Sequence, residues 1–259
     1  MSELARSSFS HDGLTFSYLD SGGEKPVLLM LHAHWMGASD FEGIAPAFTP
    51  AWRVVALDQR GHGFTDHTRQ HGPKNYVGDI AALLRHIGID EPVVLLGHSF
   101  GGMTAYLYAA AHPVRGLIIE EMDVVRNDDD TFVLEWGGVY PTRAALEAKI
   151  GERLAPYLAK SIKQIDGGFT LRWDPHELLE SERSLNGDHW SAWMASQCAA
   201  LVIGGTESRV IKREALEAMA MRRPHTKLVM IEGAGHSVHI DKPAETIAAI
   251  EGFLSSLPQ

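Results

Sequence analysis

Apolar residues occur along this chain in short unbroken blocks. One is Val27–Leu31, and others lie at 54–57, 93–96, 117–119, 201–203 and 228–231. None of them alternates with polar residues. Each block therefore predicts a strand covered on both faces, as in a parallel sheet. Helical spacing runs between the blocks. Ile80, Leu83, Leu84 and Ile87 fall at i, i+3, i+4 and i+7, and Gly88 ends that run. Near the C-terminus Pro243 fits a first helical turn. Ile247, Ile250, Phe253, Leu254 and Leu257 follow it as one apolar stripe. Strands alternating with helices predict an α/β fold with right-handed crossovers.

Residues 124–193 break this rhythm. No block there reads as a buried strand, and helices are expected over 141–154 and 156–163. The segment also holds Trp136, Tyr140, Tyr157, Phe169, Trp173, Trp190 and Trp193. It is expected to form a small helical cap over a core made of residues 1–123 and 194–259. Asp128, Asp129 and Asp130 within it read as a solvated turn.

The strongest chemical signal is Gly97-His98-Ser99-Phe100-Gly101, which follows an apolar strand and precedes a small-residue helical stretch over 102–112. This is G-x-S-x-G in the strand–turn–helix setting that lifts a serine hydroxyl above a sheet edge. The turn is sharp and its backbone passes close to neighbouring elements, so the flanking residues must be tiny. The N–H of Phe100 then opens a helix, where it can face an oxyanion. A serine hydroxyl needs a base. His236 stands in the loop after the final strand and is the candidate, while His239 reads as a packing residue.

Taken in order, four segments resemble the α/β-hydrolase fold superfamily: Leu31-His32-Ala33-His34, Asp58-Gln59-Arg60-Gly61-His62-Gly63, Gly97 to Gly102, and Gly233-Ala234-Gly235-His236. The resemblance covers nearly the whole chain. It implies a mostly parallel central sheet flanked by helices and an esterase-like serine hydrolase. It also implies that the backbone N–H groups of His34 and Phe100 form the oxyanion hole, although Ala33 replaces the usual glycine. Trp35 beside them is expected to contact substrate.

The same resemblance leaves the acid of a catalytic triad open. Most relatives carry an aspartate after the penultimate core strand, but that position here is Ser208, and Glu207 is one residue early. Other relatives place the acid after the strand that follows the nucleophile helix, which favours Glu121, with Glu120 and Asp123 as alternatives. Adjacent residues on an extended segment point to opposite sides, so one of Glu120 and Glu121 is expected to face the histidine.

Composition narrows the function further. Acids exceed bases by 33 to 23, giving a net charge of −10. That disfavours a nucleic-acid surface, which requires a basic patch. A single cysteine, Cys198, excludes an internal disulfide. The first residues lack the apolar stretch of a signal peptide, and no apolar run approaches the roughly 20 residues of a membrane span. A cytoplasmic enzyme acting on a small molecule is expected, as a monomer or homodimer. No dinucleotide or phosphate-loop motif is present, so no cofactor is expected. His67 and His71 have i, i+4 spacing, but nothing completes a ligand set, and no metal is expected.

The leading reading is hydrolysis of an ester, thioester or amide through an acyl-enzyme on Ser99, with His236 as base and Glu121 supporting it. Carbon–carbon bond hydrolysis, cofactor-free dioxygenase chemistry and a hydrolase-like ligand receptor are the alternatives on the same fold. A serine at the elbow disfavours reactions that need a carboxylate nucleophile.

Overall fold

The computed structural model describes residues 4–258. Twelve strands are described: β1 Ala5–His11, β2 Leu14–Asp20, β3 Val27–Leu31, β4 Arg53–Leu57, β5 Val94–His98, β6 Gly116–Glu120, β7 Val125–Arg126, β8 Ile162–Ile165, β9 Gly168–Leu171, β10 Gly187–Asp188, β11 Ala199–Gly205 and β12 Thr226–Ile231. The α-helices are α1 Ala45–Phe48, α2 Pro73–His86, α3 Phe100–Ala111, α4 Arg143–Ile150, α5 Pro175–Leu185, α6 Trp190–Ala195, α7 Arg213–Arg222, α8 Val238–Asp241 and α9 Pro243–Ser255.

Eight strands form one sheet in the order β1-β2-β4-β3-β5-β6-β11-β12. From β4 to β12 the pairing is parallel, and the six apolar blocks are its strands. Successive residues of each block face opposite sides. Leu29, Leu31, Val55, Leu57, Leu95, Leu117 and Ile119 pack beneath α2, α3 and α7. Leu28, Met30, Val54, Ala56, Val94, Leu96 and Ile118 pack against α1 and α9 on the other side. Both faces are covered, which is why the sequence shows no alternation.

The antiparallel hairpin β1–β2 extends the sheet beyond what the apolar blocks announce. It turns through Asp12-Gly13, with φ of 51° and 75°, the left-handed pair that a tight hairpin turn requires. Strand β1 buries only Phe9, which stacks on Phe16 at 5.1 Å between ring centroids.

The segment between β6 and α6 is less helical than its sequence suggests. Helices α4 and α5 are present, but 156–163 is not a helix. It holds a 3₁₀ turn over Ala159–Ser161 and then enters β8, which pairs with β9 across Asp166-Gly167. A second pair of short strands joins β7 to β10. Val133, Trp136, Leu146, Leu158, Trp173 and Leu178 form a separate apolar cluster. Hydrogen bonds moor this layer to the sheet: Trp173 Nε1 donates to Trp35 O at 2.8 Å, and Tyr157 Oη to Asp241 Oδ1 at 2.7 Å.

Candidate active site

Ser99 joins β5 to α3 with φ 50° and ψ −122°, a conformation costing of order 1–3 kcal/mol that survives only where its surroundings enforce it. The surroundings are tight. A Cβ on Gly97 would sit 2.1 Å from Gly101 O, and one on Gly101 would sit 2.0 Å from Leu31 O. The Ser99 N–H donates to Glu120 O at 2.8 Å, tying the turn to the end of β6. Among the described residues the Ser99 hydroxyl makes no hydrogen bond; catalytic hydrogen bonds in free enzymes are often long.

His236 lies between β12 and α8. Its loop presses on the end of β11, where a Cβ on Gly205 would meet Gly235 O at 2.2 Å. His98 Nε2 donates to His236 O at 2.8 Å, so the residue before Ser99 holds the histidine backbone. The His98 and His236 ring centroids are 5.0 Å apart. Ser99 and His236 thus occupy the same sheet edge.

Of the candidate acids, Glu121 meets His236. The ring Nδ1 donates to Glu121 Oε2 at 3.1 Å. Glu121 also has positive φ, 49°, which turns it off the line of β6. Its carboxylate accepts the Gly205 N–H at 2.8 Å and the Ser208 hydroxyl at 2.5 Å. Ser208, at the position where the resemblance expects an acid, instead donates its hydroxyl to Glu121. Glu207 is exposed. Glu120 takes the His239 backbone N–H at 3.0 Å and its Nδ1 at 2.8 Å, and Asp123 pairs with Arg126 at 3.2 Å.

Burial dominates the electrostatics of the Glu121–His236 pair. It pushes His236 down to about 4 and Glu121 up to about 7, with Ser208 and Gly205 pulling the carboxyl back. A quarter of the His236 side chain is exposed while Glu121 has none exposed. The imidazole is accordingly neutral at neutral pH.

His34 stacks on Phe100 at 4.1 Å, and its Nε2 contacts Ser181 Oγ at 3.0 Å. Among the described residues, no hydrogen bond occupies the backbone N–H of His34 or of Phe100. The ring of Trp35 does not line the space at Ser99. It packs edge-on to Phe132 and Trp136 at 5.8 and 5.6 Å, and its carbonyl accepts the bonds from Ser161 and Trp173 that moor this layer. Trp35, with φ of 70°, packs its indole against the apolar cluster of residues 124–193.

The space next to Ser99 is a cavity of about 20 Å³ walled by His34, Phe100, Met122, Arg126, Asp128 and Glu182 among others. Asp128 is thus at the site, not merely on a solvated turn. Arg126 carried no motif, and only the tertiary contacts reveal it; Ser208 stood out in the sequence only as the position that lacks an acid. A larger cavity of about 460 Å³ lies elsewhere, between Trp136, Trp173, His67 and Glu177, and does not include Ser99.

His98, Glu120 and His239 are the one group among the described residues whose donor atoms are spaced for a metal ion. All three are fully enclosed, and Glu120 and His239 already spend their facing atoms on each other. The charged pair satisfies the carboxylate without an ion.

Known proteins match this architecture. The chain is 25% identical over 250 residues to 2-(acetamidomethylene)succinate hydrolase of Mesorhizobium japonicum, covering 90% of each chain. It is 26% identical to a putative esterase/lipase of Haemophilus influenzae, covering 89% of this chain and 83% of the other. The crystal structure of E-2-(acetamidomethylene)succinate hydrolase superposes with a TM-score of 0.87 at 22% identity, over 98% of this chain and 100% of that one. The sequence pattern of the Alpha/beta hydrolase family matches residues 28–250. With that match over most of its length and an elbow serine at the carboxyl edge of a parallel sheet, the chain belongs to the alpha/beta hydrolase family.

Proposed function

We propose that this hydrolase cleaves an ester of a small molecule, or a related thioester or amide, through an acyl-enzyme on Ser99. The observation that carries the reading is the Glu121–His236 hydrogen bond of 3.1 Å at the same sheet edge as the strained Ser99. In this mechanism Ser99 Oγ attacks the carbonyl carbon and gives its proton to His236 Nε2. The tetrahedral oxyanion is held by the N–H groups of His34 and Phe100, each worth about 3 kcal/mol to the transition state. Collapse breaks the bond to the leaving group, which takes the proton from His236. Water, activated by the same imidazole, then releases the acid product and restores Ser99. Glu121 fixes the ring with Nδ1–H toward itself and Nε2 toward the serine.

Residues 124–193 act in this reading as a cap over the reacting carbonyl. The cytoplasm is the proposed setting. Support comes from relatives named as an esterase/lipase and as a hydrolase. The test is intact mass and peptide mapping after treatment with a fluorophosphonate. A single adduct on Ser99, lost in His236→Ala, is the expected result. Absence of an adduct on the folded protein would refute the acyl-enzyme.

A further inference from the structure

The cavity at Ser99 is too small for a substrate; ordinary ligand pockets hold about 300–1,000 Å³. What narrows it is a set of charged side chains. Arg126, at the end of β7, lines the cavity together with Asp128, Glu182 and Asn186. The guanidinium is 11% exposed, and it pairs with Asp123 at 3.2 Å on one side and with Asp128 on the other. Its charge reaches the reaction centre from above, adding to burial in lowering the pKa of both His34 and His236.

The two carboxylates that hold Arg126 are not equivalent. Asp123 is one-fifth exposed and follows directly from the turn at Glu121 and Met122. Asp128 is 35% exposed, on a loop whose backbone Asn186 grips from both sides, through Asp128 N at 2.9 Å and Asp128 O at 2.9 Å. Its side chain can swing into water while its backbone stays fixed. Glu182, the other acid in the wall, is spent on the Asp130 N–H, which it accepts with both oxygens at 3.0 and 3.1 Å. A guanidinium offers a planar fork of donors that matches a carboxylate. The chain's net charge of −10 repels anions at a distance, so a fixed cation in the wall is the feature that would seat one.

We propose that Arg126 recognises a carboxylate on the substrate, displacing Asp128, so that the preferred substrates are short esters or amides carrying a second, anionic group. This rests on the serine-hydrolase reading of the site. Arg126 is then a specificity residue: it grips the part of the substrate that does not react, and the exchange of Asp128 for substrate widens the narrow cavity.

The test compares pairs that differ only in that charge: monomethyl succinate with dimethyl succinate, and monomethyl glutarate with dimethyl glutarate. The readouts are hydrolysis and the ability of each ester to slow fluorophosphonate labelling of Ser99. The second readout reports binding even where turnover is slow. In the wild-type protein the half-esters should slow labelling at least 10-fold at concentrations where the diesters have no effect. Arg126→Ala should abolish that difference. Asp128→Asn, which removes the internal competitor, should lower the half-ester concentration required several-fold. The proposal is overturned by equal protection from diesters, or by protection that survives in Arg126→Ala. A general loss of labelling in Arg126→Ala with every probe would instead make Arg126 a structural latch, and that too overturns it. Failure of the folded wild-type protein to label at Ser99 removes the serine reading itself, an outcome distinct from the others.

Discussion

Two carboxylate–histidine pairs stand side by side in this molecule, built from one dipeptide and from the short stretch that runs from the loop after β12 into α8. Glu120 meets His239, and Glu121 meets His236. The chemistry of the partners is the same, yet the charge states diverge. Burial alone would raise Glu120, but His239 and His98 outweigh it and bring the carboxyl down to about 2. Burial likewise opposes charge on His239, and Glu120 outweighs it, so the net shift is upward. That pair is an ion pair. In the neighbouring pair burial wins on both sides, driving Glu121 up to about 7 and His236 down to about 4. The difference lies in the other donors and in access. His239 gives Glu120 both its backbone and its ring N–H, and almost none of either side chain is exposed. Glu121 divides its oxygens among Gly205, Ser208 and His236, whose ring opens toward the Ser99 edge. A clamp and a base can therefore come from identical residue types, separated by local desolvation and hydrogen bonding.

The most severe way to break the second pair's role is to remove what it serves. Ser99→Ala should lower kcat for a model ester by about 10⁶-fold, as loss of the nucleophile does in serine hydrolases generally. Retained hydrolysis would refute the mechanism. Glu121→Gln keeps the shape but removes the charge that supports the imidazolium. We expect about a 10⁴-fold loss in kcat, with near-normal turnover in Glu207→Gln. The reverse ranking, measured on proteins with unchanged circular dichroism, would move the acid to Glu207.

Glu120→Gln tests the clamp. Removing one partner of a buried ion pair costs about 3–5 kcal/mol, so urea denaturation should show a large drop in stability. Glu121→Gln should show a much smaller one, because its carboxyl is already pressed toward neutrality. Equal losses would erase the distinction between the pairs.

Acid should act through the buried neutral histidines. Burial lowers His32 to about 4, His62 to about 3, His98 to about 3 and His236 to about 4. Between pH 6.5 and those values the unfolded chain binds protons that the folded chain refuses. Each of these rings therefore lowers stability as pH falls through that window, by at most about 1.4 kcal/mol per pH unit. The carboxyls that burial raises, Glu121 and Glu182 to about 7 and Asp40 and Asp130 to about 6, act in the opposite sense until pH reaches their ordinary range of about 4. The Glu120 clamp behaves otherwise: its contribution is present above 4.5 and is lost only as pH falls through about 2. Below about pH 4 the histidine effect is unopposed, because His62 and His98 stay neutral down to about 3, so a thermal midpoint that stays flat from pH 4 to pH 3 would contradict the neutral state of these rings. The smallest effect is expected for Ser208→Ala, which removes one of three donors to Glu121. It should cost about 1 kcal/mol, seen as a several-fold loss in kcat, with the fold intact.

The six parallel strands were legible because both faces of each are covered, so every position is apolar whichever way it points. The two hairpins were harder to read from their hydrophobic pattern. Strand β1 is mostly exposed, and β8 buries only Ile162. Both hairpins turn on Asp-Gly, at Asp12-Gly13 and Asp166-Gly167, and that dipeptide was the available signal. The expected helix over 156–163 fails for the same reason: one turn of it forms before the chain is drawn into the pairing of β8 with β9.

At the site, the division follows the range of the forces involved. The sequence by itself determined the elbow, because Gly97, Ser99 and Gly101 answer to contacts within a few ångströms of one turn. It also determined the position of His236 in the loop after the last strand of the sheet. Only the tertiary structure decided which glutamate that histidine meets, since Glu120 and Glu121 differ by a single left-handed residue and by what β11 and its loop bring against them. Only the tertiary structure packed Trp35 against Trp136 and brought Arg126 into the wall of the space at Ser99. Turn geometry is written in neighbouring residues, whereas desolvation and charge pairing depend on segments more than 80 residues apart, such as Glu121 and Ser208.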